Sequence, residues 1–187
     1  MNVIIFGPPG AGKGTQAQNI VKKFNLHQVS TGDLLRTEIK NKSEIGNEIE
    51  EIISKGDFAT DDVVNKLIKN IVFDPQKKDK LIFDGYPRSL SQAKNLDLLL
   101  DNSNQKIDFI FFLNVNKDTI IKRIEKRKIL EKRSDDDANT ILKRYDTYME
   151  VTNPVLDFYS SRSNFYEIDG SEKIDEISSK IDQIITL

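Results

Sequence analysis

The 187-residue chain is expected to fold as an α/β protein in three layers, a five-stranded parallel sheet between two layers of helices. Short apolar runs of strand length alternate with longer stretches of helical periodicity, the signature of repeated crossover units with helices on both faces of a sheet. The first run, Val3 to Phe6, is apolar without alternation, as a strand buried on both faces requires. Four of the nine glycines fall between Gly7 and Gly14, where that strand hands over to a helix.

The elements follow in order. Lys13–Phe24 reads as a helix with Ala17, Ile20, Val21 and Phe24 on one face. Gln28–Ser30 is a brief second strand, and Thr31 caps or opens a helix through about Lys40. Two more helices are expected near Ser43–Ser54 and Asp61–Val72, so the helix-rich stretch 31–72 forms a small cap between strands. Lys80–Asp84 is the third strand, Ser89–Leu100 a helix and Ile107–Val115 the fourth strand. Asp118–Arg127 is helical, Lys128–Lys132 a polar link, and Ser134 begins a helix with Asp135, Asp136 and Asp137 in its first turn, where negative charge suits the helix dipole. Asn153-Pro154 kinks or restarts the helical path. Asn164–Ile168 is the fifth strand and Ser171–Ile185 the closing helix. The whole is expected as a single domain, residues 1–187.

Composition narrows the function. With no cysteine and one histidine, disulfides, thiolate catalysis and thiolate zinc sites are excluded. A formal net charge of −2 argues against nucleic acid as the main partner. No apolar run has membrane-spanning length, and the N-terminus lacks the basic head of a signal peptide, so no membrane partner and a cytoplasmic location are expected. Only seven of the 28 basic residues are arginine. In so lysine-rich a chain each arginine invites a reason, because its planar fork grips phosphate or carboxylate in a way lysine does not.

The segment Gly7-Pro8-Pro9-Gly10-Ala11-Gly12-Lys13-Gly14-Thr15 has the strand-to-helix context of a phosphate-binding loop. Successive backbone N–H groups form an anion nest there, the helix start adds positive potential, and Lys13 supplies a point charge. The commoner form of this loop has Ser or Thr directly after the lysine, whereas here Gly14 intervenes before Thr15. A regulatory GTPase is disfavoured. Asn116-Lys117-Asp118-Thr119 has Thr119 where a guanine reader needs an acid, and no Asp-x-x-Gly occurs.

Three further segments sharpen the reading. Ser30-Thr31-Gly32-Asp33-Leu34-Leu35-Arg36, Phe83-Asp84-Gly85-Tyr86-Pro87-Arg88, and Arg133-Ser134-Asp135-Asp136 with Arg144 beyond it resemble, with the Gly-Lys-Gly-Thr loop, the motifs of the nucleoside monophosphate kinases. Within that family the adenylate kinases are most similar. Six of the seven arginines fall on family positions, Arg162 being the one without a role. The resemblance implies a P-loop three-layer α/β/α fold with a small helical monophosphate-binding segment at about 30–59 and a short lid at about 127–133. Only Lys128 to Lys132 separate Arg127 from Arg133, which leaves no room for a long, zinc-carrying lid, so no zinc is expected.

The implied reaction is reversible transfer of a phosphoryl group from Mg-ATP to AMP, giving two ADP. On the donor side the resemblance implies Gly10, Ala11, Gly12, Lys13, Gly14, Thr15, Arg123, Arg127 and, by its backbone at the base, Glu172. On the acceptor side it implies Thr31, Arg36, the backbone of Asp57, Phe58 and Ala59, then Gly85, Tyr86, Pro87, Arg88 and Gln92. Arg133 and Arg144 are implied between AMP and the moving group. Lys13, Arg88, Arg123, Arg127, Arg133 and Arg144 would stabilise the charge in transit, and Asp84 would orient water on magnesium. Thr31 and Gln92 favour AMP, since pyrimidine-specific relatives tend to carry Ala and Asn there. Two alternatives remain at this point, a UMP/CMP-type kinase and a nucleotide-sensing protein without turnover. A monomer is the family expectation.

Overall fold

The computed structural model describes the backbone of residues 1–55, 57, 59–131 and 138–187, and the side chains of these residues except 126–131, 138, 139 and 141. Five strands, β1 (Val3–Phe6), β2 (His27–Ser30), β3 (Leu81–Asp84), β4 (Phe109–Asn114) and β5 (Phe165–Asp169), form one sheet in the order β2-β3-β1-β4-β5. Every pairing is parallel. The helices are α1 (Lys13–Phe24), α2 (Thr31–Lys40), α3 (Glu44–Ser54), α4 (Asp61–Val72), α5 (Leu90–Asn102), α6 (Lys117–Glu131), α7 (Ala138–Thr147), α8 (Asn153–Ser160) and α9 (Ile174–Thr186). A π turn, Tyr148–Thr152, joins α7 to α8.

The period of two along β1 divides the core. Ile4 and Phe6 face one apolar layer with residues of α2–α5 and α8, such as Leu35, Ile68, Leu96 and Val155. Val3 and Ile5 face the other, with Ala17 and Ile20 of α1, Ile120 and Ile124 of α6, and Ile177 and Ile181 of α9. All four β1 residues are buried, which is why the run carries no polar alternation. As a central strand, β1 delivers the glycine-rich loop to the C-terminal edge of the sheet, where the order reverses between neighbouring connections and ligands of open α/β sheets bind.

One expectation needs correction. The polar link at Lys128–Lys132 is helical through Glu131, because α6 continues; Lys-Ile-Leu-Glu are all tolerated in a helix interior, and nothing in them stops one. Asn153-Pro154 restarts the helical path, as expected, since α8 begins at Asn153. Pro154 lies in the first turn of α8, where its missing N–H has no intrahelical acceptor to lose, and the irregularity is the π turn just before it. The expected start of a helix at Ser134 to Asp137 lies outside the described residues. Strand ends differ by a residue or two, most at β4, where the Asp108 N–H turns to the Asn2 carbonyl instead of the ladder.

Arg162, given no role by its motif surroundings, is a fold residue. Its guanidinium meets the Asp97 carboxylate through two hydrogen bonds, of 2.5 and 3.3 Å. The same group lies over the rings of Tyr159 and Phe158, 4.4 and 5.1 Å from their centroids. It clamps the end of α8 to α5.

Candidate active site

The loop between β1 and α1 is shaped by what cannot be placed in it. Gly10 has φ +82°, and a Cβ there would come within 2.8 Å of the Ile124 side chain on α6. Both the backbone conformation and the close approach of α6 exclude a larger residue. Lys13 folds back over the loop. Its Nζ donates to the carbonyl oxygens of Gly7 and Pro8 at 2.7 and 3.1 Å, which holds the ammonium over the nest. From α6, Arg123 donates to the Ala11 carbonyl at 3.3 Å, so one donor-side arginine is seated on the loop itself. Ala11 is buried, Gly12 and Gly14 partly so, and Thr15 is exposed at the start of α1.

The acceptor half is organised by the turn after β3. Ser30 caps α2, its side chain accepting from the Asp33 N–H. Thr31 is therefore not the cap, and its hydroxyl donates instead to the Gly85 carbonyl at 2.8 Å. The same carbonyl accepts from Arg88 Nε at 2.8 Å. Gly85 has φ +74°, and a Cβ there would lie 3.1 Å from the Arg88 guanidinium and 3.3 Å from the Thr31 hydroxyl, so glycine keeps this junction tight. Arg36, one turn into α2, is paired with Asp33 at 2.6 Å. Asp57 and Ala59 lie between α3 and α4, with Ala59 buried.

Arg88 is the electrostatic centre. Burial pulls its guanidinium down to about 10, the nearby charges of Arg144 and Arg36 push the same way, and Asp84 opposes them. It remains charged at neutral pH, but in a place where three cations converge and burial works against charge. Such a site is relieved by an anion. Lys13, Arg88 and Arg144 line one cleft, with Gly7, Pro9, Gly85 and Pro87 in its walls. The sequence motifs from both halves thus meet around a single cavity.

Three expected residues take a different part in the geometry. Gln92 is buried: its Oε1 accepts from the Arg88 N–H at 2.8 Å and its Nε2 donates to Asp61 Oδ1 at 2.7 Å. Tyr86 is fully buried, donating its hydroxyl to Asn65 Oδ1 at 2.9 Å, and burial pushes that hydroxyl up to about 12. Glu172 accepts from Lys180 at 2.6 Å through Oε1, while its Oε2 is buried without a hydrogen-bond partner among the described residues. Phe58 and Arg133 lie outside the described residues. So does the side chain of Arg127, whose backbone is part of α6.

The cleft also holds two residues that no motif flagged. Tyr148 and Thr152, both buried, line it from the π turn, and both hydroxyls lack a hydrogen-bond partner among the described residues. The available signal was spacing. Tyr148 follows Arg144 by four residues, which places the two on one helical face, and π turns concentrate at functional sites.

A family model for adenylate kinase matches residues 5–164. An adenylate kinase of Pelagibacter ubique (strain HTCC1062) is 48% identical over 211 aligned positions, covering 99% of this chain and 99% of the relative. One of Mycoplasma mycoides subsp. mycoides SC is 39% identical, covering 96% of this chain and 94% of the relative. One of Caulobacter sp. (strain K31) is 36% identical over 187 positions, covering 100% and 99%. Loop, acceptor turn and full-length likeness agree, and the chain belongs to the adenylate kinase family.

Proposed function

We propose that the protein catalyses ATP + AMP ⇌ 2 ADP with magnesium, acting as a monomer in the cytoplasm. The observation that carries this reading is the convergence of Lys13, Arg88 and Arg144 on one cleft between the phosphate loop and the acceptor turn. Phosphoryl transfer between two polyanions needs alignment and charge neutralisation more than covalent help. Backbone N–H groups from Gly10 to Thr15 and the ammonium of Lys13 bind the donor phosphates. Arg36 and Arg88 hold the acceptor phosphate, and Arg123, Arg127, Arg133 and Arg144 stabilise the group in transit. No general base is required, because the attacking acceptor oxygen is already ionised.

Base selection falls to Thr31 and Gln92 with the backbone of Asp57, Phe58, Ala59 and Gly85. Tyr86 and Pro87 shape the turn behind them. With both ends of its side-chain amide already making one hydrogen bond each, Gln92 keeps one N–H and one lone pair for an adenine edge, and Asp61 and the Arg88 backbone fix its orientation. On the donor side the chain around Glu172 meets the other base. The acceptor segment spans about 30–59 and the short lid about 127–133, the first part of which continues α6.

The donor set suits magnesium. Asp84, at the end of β3, accepts from Gln28 Nε2 at 3.1 Å through Oδ2, and that oxygen lies 3.6 Å from where a Cβ on Gly14 would stand. A single carboxylate beside the phosphate loop matches an ion that takes most of its ligands from phosphates and water. Among the described residues no three acidic or histidine side chains gather into an all-protein cage. When bound, magnesium would neutralise phosphate charge, and Asp84 would hold its water in place. The test is a transfer assay with Mg-ATP and each of AMP, GMP, UMP and CMP. Rapid ADP formation with AMP alone is expected. Preference for UMP or CMP would overturn the acceptor assignment, and nucleotide binding without transfer would overturn catalysis.

A further inference from the structure

Lys143 directly precedes Arg144 on α7, yet its ammonium reaches away from the cleft to the acceptor segment. Nζ stands 2.6 Å from Asp57 Oδ1 and donates to the Lys55 carbonyl oxygen at 3.3 Å. Lys55 is the C-cap of α3, a helix with no basic residue in its own last turn. Lys143 therefore supplies, from another element, the cation that a helix C-terminus favours, and pairs at the same time with the carboxylate two residues on.

We propose that Lys143 is a positioning residue for the acceptor pocket. It ties the stretch that closes the acceptor segment to the helix that carries Arg144, and it sets affinity for the monophosphate and not the stability of the fold. The inference rests on the acceptor subsite assigned above. Both side chains of the pair are close to half exposed, 47% and 46%, and such pairs add little to global stability. A small bias between a docked and an undocked segment nevertheless passes directly into apparent affinity, because only the docked fraction binds. The two-point grip also couples two groups that must act on the same bound acceptor: the stretch that seats its base and the helix whose arginine meets the group in transit.

The experiment measures KM for AMP and for ATP, with Tm alongside, in Lys143→Gln, Lys143→Arg, Asp57→Asn and the exchanged pair Lys143→Asp with Asp57→Lys. In Lys143→Gln and Asp57→Asn, KM for AMP is expected to rise about three- to fivefold, with KM for ATP and Tm near the parent values. Lys143→Arg keeps the charge and should retain most of the AMP affinity, and the exchanged pair should recover part of it. Because the pair is solvent-accessible, the difference between parent and Lys143→Gln should shrink at about 0.5 M salt. Equal rises in both KM values, or a drop in Tm with KM for AMP unmoved, would overturn the proposal. Arg88→Lys in the same assay separates the two levels. If it leaves AMP kinetics untouched, the acceptor subsite itself is wrong; if it acts and Lys143→Gln does not, only the positioning role fails.

Discussion

Two arginines show how differently this chain uses the same side chain. Arg162 on the outer flank is satisfied: a carboxylate takes two of its N–H groups and two aromatic rings take its face. Arg88 on the cleft floor sits where burial and two further arginines disfavour its charge, with Asp84 opposing them. The first arrangement stabilises the protein at rest. The second is a place where, in the proposed reaction, the acceptor phosphate would offset the cost of the charge, which is how a preorganised site favours charge without having to reorganise. The buried hydroxyls of Tyr148 and Thr152, which have no hydrogen-bond partner among the described residues, stand on the same side of this contrast as Arg88.

This contrast can be broken by substitution. The largest effect is expected at Lys13→Met, which removes the ammonium over the loop and should lower kcat by at least about a thousandfold, read by coupled ADP assay with Tm little changed. Arg88→Lys keeps a charge but loses the fork, and kcat/KM for AMP should fall by about a hundredfold; near-normal activity would show that two-point gripping is not its function. Arg162→Ala should do the reverse. It is expected to lower stability by about 1–2 kcal/mol through the lost pair and ring contacts, measured by urea unfolding, while kcat/KM stays within about twofold. The smallest effect is expected at Thr152→Val, which removes a buried hydroxyl without a hydrogen-bond partner among the described residues and should raise stability by up to about 1 kcal/mol. A clear destabilisation there would mean that the hydroxyl is satisfied after all.

The legible parts of the molecule are those where local chemistry allows few alternatives. An unbroken apolar tetrapeptide followed by glycines and a lysine admits almost one geometry, and β1, the loop and α1 stand where the pattern puts them. Arginine scarcity in a lysine-rich chain pointed to Arg88, Arg123 and Arg144 for the same reason. What stayed hidden was decided by partners distant in sequence. Nothing around Gln92 announces that its amide orients on Asp61. Nothing near Lys143 announces Asp57, and only the packing of α8 on α5 gives Arg162 its carboxylate. The extension of α6 through Glu131 was missed because polar composition resembles a link as readily as an exposed helix. Tyr148 and Thr152 were missed because a π turn shifts the side-chain register by a residue that periodicity does not foresee.

The contact of Ile124 with Gly10 has a mechanical side. Ile124 rests on the phosphate loop, Arg123 is bonded to it, and α6 continues seven residues further without a break. At 1.5 Å per residue that arm is roughly 10 Å long, so a tilt of about 10° about Ile124 carries its tip by about 2 Å. The absent side chain at position 10 is thus a bearing: it lets α6 seat directly on the loop, so that any tilt of the helix at the phosphates would carry to its far end.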